Sequence, residues 1–137
     1  MPPLPLSHNG SRGSVSIGTQ GEAVATSNLD ILRGTLDLLI LKSVSWGPIH
    51  GYDVARWIES SAEDVLKVEE GTLYPALHRL ETKRWLSATW GVSENNRRAK
   101  FYALTAAGRA QLKVEQNNFT RFANAVFAAL AAPKLGN

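Results

Sequence analysis

Apolar residues fall along this chain in blocks of helical period separated by short alternating runs, and their order predicts four helices and one hairpin. Residues 1–28 are rich in Pro, Gly and Ser and follow neither period, so they read as a disordered tail. Asp30 is placed to cap a first helix through Ile31, Leu32, Leu36, Leu38, Leu39, Ile40, Leu41, Val44 and Trp46. That helix is apolar on nearly every face, and one partner surface cannot cover it. Gly47-Pro48 stops it, and a second helix restarts over Tyr52 to Ile58 with Val54, Trp57 and Ile58 inward. After a short β-type run at Val65, Leu66 and Val68, Glu69-Glu70-Gly71 opens a third helix. Its Leu73, Leu77 and Leu80 recur at i, i+4 and i+7, which makes one buried stripe. On the opposite side Thr72, Ala76, Arg79 and Lys83 follow the same period with His78 beside them, so the exposed face is predicted to be polar and basic. Pro75 is assigned to the first turn, where a missing amide costs little.

Two strands follow, Leu86 to Trp90 and Ala99 to Leu104, joined by a loop whose Gly and Asn residues suit a hairpin and which ends on Arg97-Arg98. Thr105 then caps a last helix over about 106–131, some 39 Å long at about 1.5 Å per residue. Its Leu112, Phe119, Phe122, Val126 and Leu130 make an apolar stripe larger than the preceding elements can cover, so a second subunit is the natural cover. Residues 132–137 are a short C-terminal tail.

The chain has 137 residues, room for one compact domain plus extensions. It contains no Cys, which excludes a disulfide framework, a thiolate zinc site and a cysteine nucleophile. No apolar run approaches the roughly 20 residues that span a bilayer, and no basic-then-apolar signal pattern opens the chain. The expected location is therefore cytoplasmic, without a membrane partner. The net charge of +3 says little, but its distribution says more. Residues 29–74 hold eight acids and four bases, whereas residues 75–104 hold two acids and six bases. A chain that reverses charge at one point can present one segment to a polyanion and keep the rest away.

Helix, helix, short strand, helix, hairpin, helix is the order of a winged helix-turn-helix module. The fold class expected is mainly α with a small β-hairpin: a DNA-binding unit over 29–105 followed by a dimerisation helix over 106–131. In that geometry the third helix enters the major groove and the hairpin wing meets phosphates. The candidate DNA-binding residues are Thr72, Tyr74, His78, Arg79 and Lys83 on the helix, with Arg97, Arg98 and Lys100 on the wing. Tyr74 either donates to a phosphate or base edge or packs its ring inward. Arg79 either reaches guanine or pairs on the surface with Glu81 or Glu70. Thr72 is an ordinary first-turn residue or a phosphate ligand at the helix N-terminus. The three wing bases lie within four residues beside a turn, where counterion release favours phosphate binding. His50 and His78 lack companions at metal-ligand spacing, so no metal and no cofactor is expected. The Trp residues at 46, 57, 85 and 90 are read as core or interface residues.

No nucleotide loop, Gly-x-Ser-x-Gly elbow or His pair on one helix face is present, and the carboxylates read as caps and solvated positions, which argues against an enzyme. The remaining alternative is a protein-interaction module that uses the last helix as a dimerisation arm without specific DNA binding. The wing arginines argue against it.

The run Gly71-Thr72-Leu73-Tyr74-Pro75-Ala76-Leu77-His78-Arg79-Leu80-Glu81 and the wing from Arg97 through Lys100-Phe101-Tyr102 to Gly108 resemble the PadR family of bacterial transcriptional regulators. Leu32-Arg33-Gly34-Thr35-Leu36-Asp37 and His50-Gly51-Tyr52 are similar to the family as well, and the resemblance covers roughly 29–131. The stretch Trp90 to Arg98 looks like the branch with a short C-terminal helix common in acidobacteria. The resemblance implies a homodimer bound to double-stranded DNA at an inverted-repeat operator as a repressor. It places the dimer interface on the first and last helices, at Leu36, Ile40, Phe119, Phe122, Val126 and Leu130. It also allows a small-molecule effector at the dimer seam. Two positions depart from the family pattern. Arg84 stands where Gly usually follows the third helix, which puts a β-carbon at a left-handed cap for about 1 kcal/mol. Phe119 stands where relatives often carry a Trp.

Overall fold

The computed structural model describes Val24, Ala25 and residues 31–136. The expected tail over 1–28 and the Asp30 cap therefore lie outside the described residues, apart from a two-residue strand, β1 (Val24–Ala25). The chain continues as α1 (Ile31–Ser43), β2 (Ile49–His50), α2 (Gly51–Ser61), β3 (Leu66–Lys67), α3 (Glu70–Thr82), β4 (Leu86–Val92), β5 (Arg98–Leu104) and α4 (Ala106–Ala131). The third helix, the hairpin and the last helix thus stand where the periodicity puts them.

α1 touches α2, α3 and α4, which explains why its apolar residues are not confined to one stripe. Leu36, Ile40 and Leu41 are fully buried, and they pack with Val54 and Ile58 of α2 and with Leu73, Leu77 and Leu80 of α3. Two expected interface residues are corrected by this packing. Leu36 and Ile40 are 1% and 0% exposed within a single chain, so they belong to its own core and offer no surface to a second subunit. Trp46 is also corrected. It lies beyond the end of α1 and is exposed, its ring 5.6 Å from that of Trp57 and under the Lys42 ammonium.

His50 has two tasks here. Its Nδ1 accepts from the Tyr52 amide and caps α2, while its backbone pairs with Phe101 as part of β2. β2 joins the hairpin, so the wing is a three-stranded antiparallel sheet in the order β2-β5-β4. A two-residue strand has no period, which is why the pattern did not show it. The run at Leu66 pairs instead with β1, in parallel.

α3 starts at Glu70, so Pro75 lies in its second turn rather than its first. Its ring removes the amide that would bond the Gly71 carbonyl. Proline is tolerated there because it faces outward, while Leu73, Ala76, Leu77 and Leu80 are buried beneath it. The helix ends at Arg84, whose φ of 66° is left-handed. The Trp85 amide bonds the Leu80 carbonyl and the Arg84 amide bonds that of Glu81, which is the Schellman arrangement. The expected non-glycine cap is therefore present. Thr105 begins α4 against this corner, with its hydroxyl donating to the carbonyls of Arg84 and Trp85 and accepting from the Gly108 amide.

Candidate nucleic-acid interface

The outward side of α3 is set by which residues the core takes. With Leu73, Ala76, Leu77 and Leu80 buried, the exposed positions are Glu70 at the start of the helix and then Gly71, Tyr74, Pro75, His78 and Thr82, the last five spaced at i, i+3, i+4, i+7 and i+11. This face is rotated from the predicted one. Ala76, assigned to the exposed basic stripe, is 1% exposed, and Thr72 and Arg79 are only half-exposed on its flank. The buried run at 73, 76, 77 and 80 is wider than the 73, 77, 80 stripe, and that difference turns the helix. Thr82 was missed, although counting by helical period from Tyr74 and His78 leads to it.

Arg79 is the largest correction. Its Nη2 meets Oδ1 of Asp37 on α1 at 2.5 Å, so it pairs with neither Glu81 nor Glu70 and does not project from the outward face. The partner lies 42 residues earlier, beyond the reach of any local pattern. Lys83 is exposed beyond the helix end, its ammonium 4.8 Å from the centre of the Trp85 ring.

Tyr74 packs one edge of its ring inward and leaves the rest exposed. Its ring edge lies against Gly51, with Cε1 3.2 Å from where a β-carbon at 51 would stand, yet the residue is 42% exposed. Burial of the ring raises its pKa above the usual tyrosine value, and Glu70 and Tyr102 add to this. The phenol therefore stays protonated near neutral pH and is available as a donor.

On the wing, β4 and β5 pair from Leu86↔Leu104 to Val92↔Arg98 and turn through Ser93 to Arg97, where the Ser93 amide bonds the Arg97 carbonyl. The three predicted wing bases have separate fates. Lys100 reaches back to α3, its Nζ 3.1 Å from Oε1 of Glu81, and this hydrogen bond raises its pKa above the usual lysine value. It is a tether between wing and helix, not a free cation at the surface. Arg97 and Arg98 are exposed, and among the described residues neither belongs to an ion pair. His78 is thus exposed on α3, Arg97 and Arg98 are exposed on the wing, and Tyr74 lies between α2 and the outward side of α3. No cluster that could hold a metal occurs among the described residues, and no described helix is long and apolar enough to cross a membrane.

The model of the transcriptional regulator PadR-like family matches residues 40–114, more than half of the chain, across the core, the third helix and the whole wing. The chain belongs to the PadR-like family. Members are transcriptional regulators rather than enzymes. An uncharacterised protein X of Lysinibacillus sphaericus is 32% identical over 83 residues, 61% of this PadR-like chain and 76% of its own length. A 37.1 kDa transposon protein of Streptomyces fradiae is 33% identical over 90 residues, and this chain spans 24% of that protein. Among solved structures, a transcriptional regulator from Clostridium thermocellum is similar with a TM-score of 0.66 and 25% identity, covering 75% of this chain and 99% of its own. A PadR family regulator from Eggerthella lenta gives 0.62 and 27%, covering 76% and 88%. The winged-helix fold and the regulator class of this PadR-like protein follow from these matches.

Proposed function

We propose that this PadR-like regulator is a homodimeric repressor that binds an inverted-repeat operator, with α3 in the major groove and the wings on flanking phosphates. The observation that carries the reading is the division of charge at the interface. Arg79 and Glu81 of α3 and Lys100 of the wing are paired within the chain, while Arg97 and Arg98 stay exposed on the wing and Tyr74, His78 and Thr82 stay exposed on α3. Neutral donors and acceptors on a helix suit base edges, and unpaired arginines on a hairpin suit phosphates.

The dimer rests on α4. Phe119, Phe122, Val126, Phe127 and Leu130 are all exposed along it, an apolar surface that a lone chain would leave in water. Phe119 and Phe122 pack side by side with ring centroids 6.5 Å apart, and a flat apolar effector at a two-fold seam would meet this pair from both subunits. Phe122→Glu should convert the dimer to monomer in light scattering and abolish operator binding.

The test is fluorescence anisotropy of the full chain against the duplex upstream of its own gene and a scrambled duplex, at two salt concentrations. Tight, salt-sensitive binding to the upstream duplex alone supports the reading. No binding to either duplex at low salt overturns it in favour of a protein-interaction module.

A further inference from the structure

The wing carries an aromatic residue that neither its core nor its pairing explains. Trp90 is 59% exposed, near the far end of β4. Residues directly opposite in an antiparallel ladder share a face, as do alternate residues along one strand. The register pairs Trp90 with Lys100, Ala88 with Tyr102 and Val92 with Arg98, so Trp90, Lys100, Tyr102 and Arg98 lie on one face. Lys100 is bonded to Glu81, so this is the face turned toward α3. The Arg98 guanidinium stands 4.5 Å from the centre of the Trp90 ring, stacked on it, and the Lys100 ammonium reaches the same ring from 6.0 Å. The indole is thus fixed between a tethered lysine and an arginine without an ion-pair partner among the described residues.

We propose that Arg98, held by Trp90, enters the minor groove beside each half-site and selects operators whose flanks are A·T-rich. The proposal rests on the DNA-binding reading above and deepens it. Two observations support a groove as the target of Arg98, with Arg97 left to the flanking phosphates. The first is direction, because Arg98 lies on the α3 side of the wing rather than on its outer side. The second is chemistry. A guanidinium is weakly hydrated and stacks without losing its donors, and the negative potential of a narrow A·T minor groove attracts such a group at positions where no base edge is read. Stacking on Trp90 fixes its direction before DNA arrives. Trp90 is in this account a positioning residue, and Arg98 is the residue that meets the DNA.

The experiment is selection of 40-base-pair duplexes with a randomised centre by the full-length protein, followed by sequencing. It compares the wild type with Arg98→Ala, Arg98→Lys, Trp90→Ala and Trp90→Phe, each checked for unchanged thermal unfolding. The wild type is expected to enrich two symmetric half-sites flanked by A·T stretches. Arg98→Ala and Arg98→Lys should keep the half-sites and lose the flank preference, the lysine despite its charge. Trp90→Ala should lose it too, and Trp90→Phe, which keeps a ring face for the cation, should retain it. On fixed half-sites, exchanging A·T flanks for G·C should weaken the wild type about tenfold and Arg98→Ala about twofold or less. Half-sites enriched by the wild type without flank preference would overturn the proposal while leaving the DNA-binding reading intact. Equal flank preference in wild type and Arg98→Lys would also overturn it. If the wild type enriches no sequence, the reading on which the proposal rests fails with it.

Discussion

Replacing Gly108 by Ala separates two effects of opposite sign. By propensity alone, Ala in the first turn of α4 should stabilise the helix by up to about 1 kcal/mol. The geometry reverses this, because a β-carbon at 108 would stand 2.0 Å from the Trp85 carbonyl oxygen and 2.9 Å from Cδ1 of Leu104. Carbon and carbonyl oxygen approach to about 3.3 Å at best, so the start of α4 must retreat by more than about 1 Å. Thr105 is three residues away and holds the same corner through bonds of 2.7 and 3.1 Å from its hydroxyl to the Arg84 and Trp85 carbonyls and 3.1 Å from its amide to that of Trp85. A shift of that size takes them past hydrogen-bonding distance. At about 1 kcal/mol each they amount to about 3 kcal/mol, and partial exposure of Leu112 adds about 1 kcal/mol. The expected net loss is about 3 to 4 kcal/mol, a large part of a small domain's total of about 5 to 15. Urea unfolding followed by tryptophan fluorescence should show the midpoint falling by about 1.5 to 2 M at a slope of about 2 kcal/mol per M. An unchanged or raised midpoint would refute the argument, since it would mean that α4 adjusts without releasing Thr105.

Arg84→Gly should raise stability by about 1 kcal/mol in the same assay, because it removes the β-carbon from a left-handed position. Arg79→Ala and Asp37→Ala should each destabilise the fold, with a coupling of about 1 kcal/mol in a double-mutant cycle. Arg79→Ala should leave the salt dependence of DNA binding unchanged, and a lower slope with no stability loss would return Arg79 to the interface. Arg97→Ala should instead lower that slope by about 1 while sparing stability. The Lys100–Glu81 bond gives a pH prediction. A pKa raised by folding contributes stability that is complete below the unfolded lysine value near 10.5 and is lost as pH rises through the folded one. The wild type should therefore lose its advantage over Lys100→Met above about pH 10.5, by under about 1 kcal/mol because the pair is partly exposed. Tyr74 and Tyr102 shift in the same direction; taking the difference between the two proteins removes Tyr74, whereas Tyr102 interacts with Lys100 itself and is read as part of the same loss.

Long periodic elements are legible in the sequence alone. The 73, 77, 80 stripe located α3, the apolar positions of the last segment located α4, and the Arg84 departure pointed to the left-handed cap. What sequence period could not show was pairing between distant segments. Arg79 looks free until Asp37 arrives from α1, and Lys100 looks like a phosphate ligand until the sheet swings it onto Glu81. Leu36 and Ile40 looked like an interface because a helix that is apolar all round fits a buried position as well as a dimer seam. β2 is too short to carry a signal, and its place in the sheet depends on β5, about 50 residues later in the chain.

The internal pairing of Arg79 with Asp37 and of Glu81 with Lys100 has a consequence for how occupancy and choice of site respond to the cell. Both ionised side chains in the C-terminal half of α3 are matched within the subunit, so in the proposed complex the contacts left to Tyr74, His78 and Thr82 are short-range and nearly indifferent to ionic strength. Ion release then belongs mainly to the wings. A rise in intracellular potassium would lower the fraction of promoter occupied while leaving the discrimination between half-sites almost untouched. How much DNA is held and which half-site is read would be set by different parts of the same 137-residue chain.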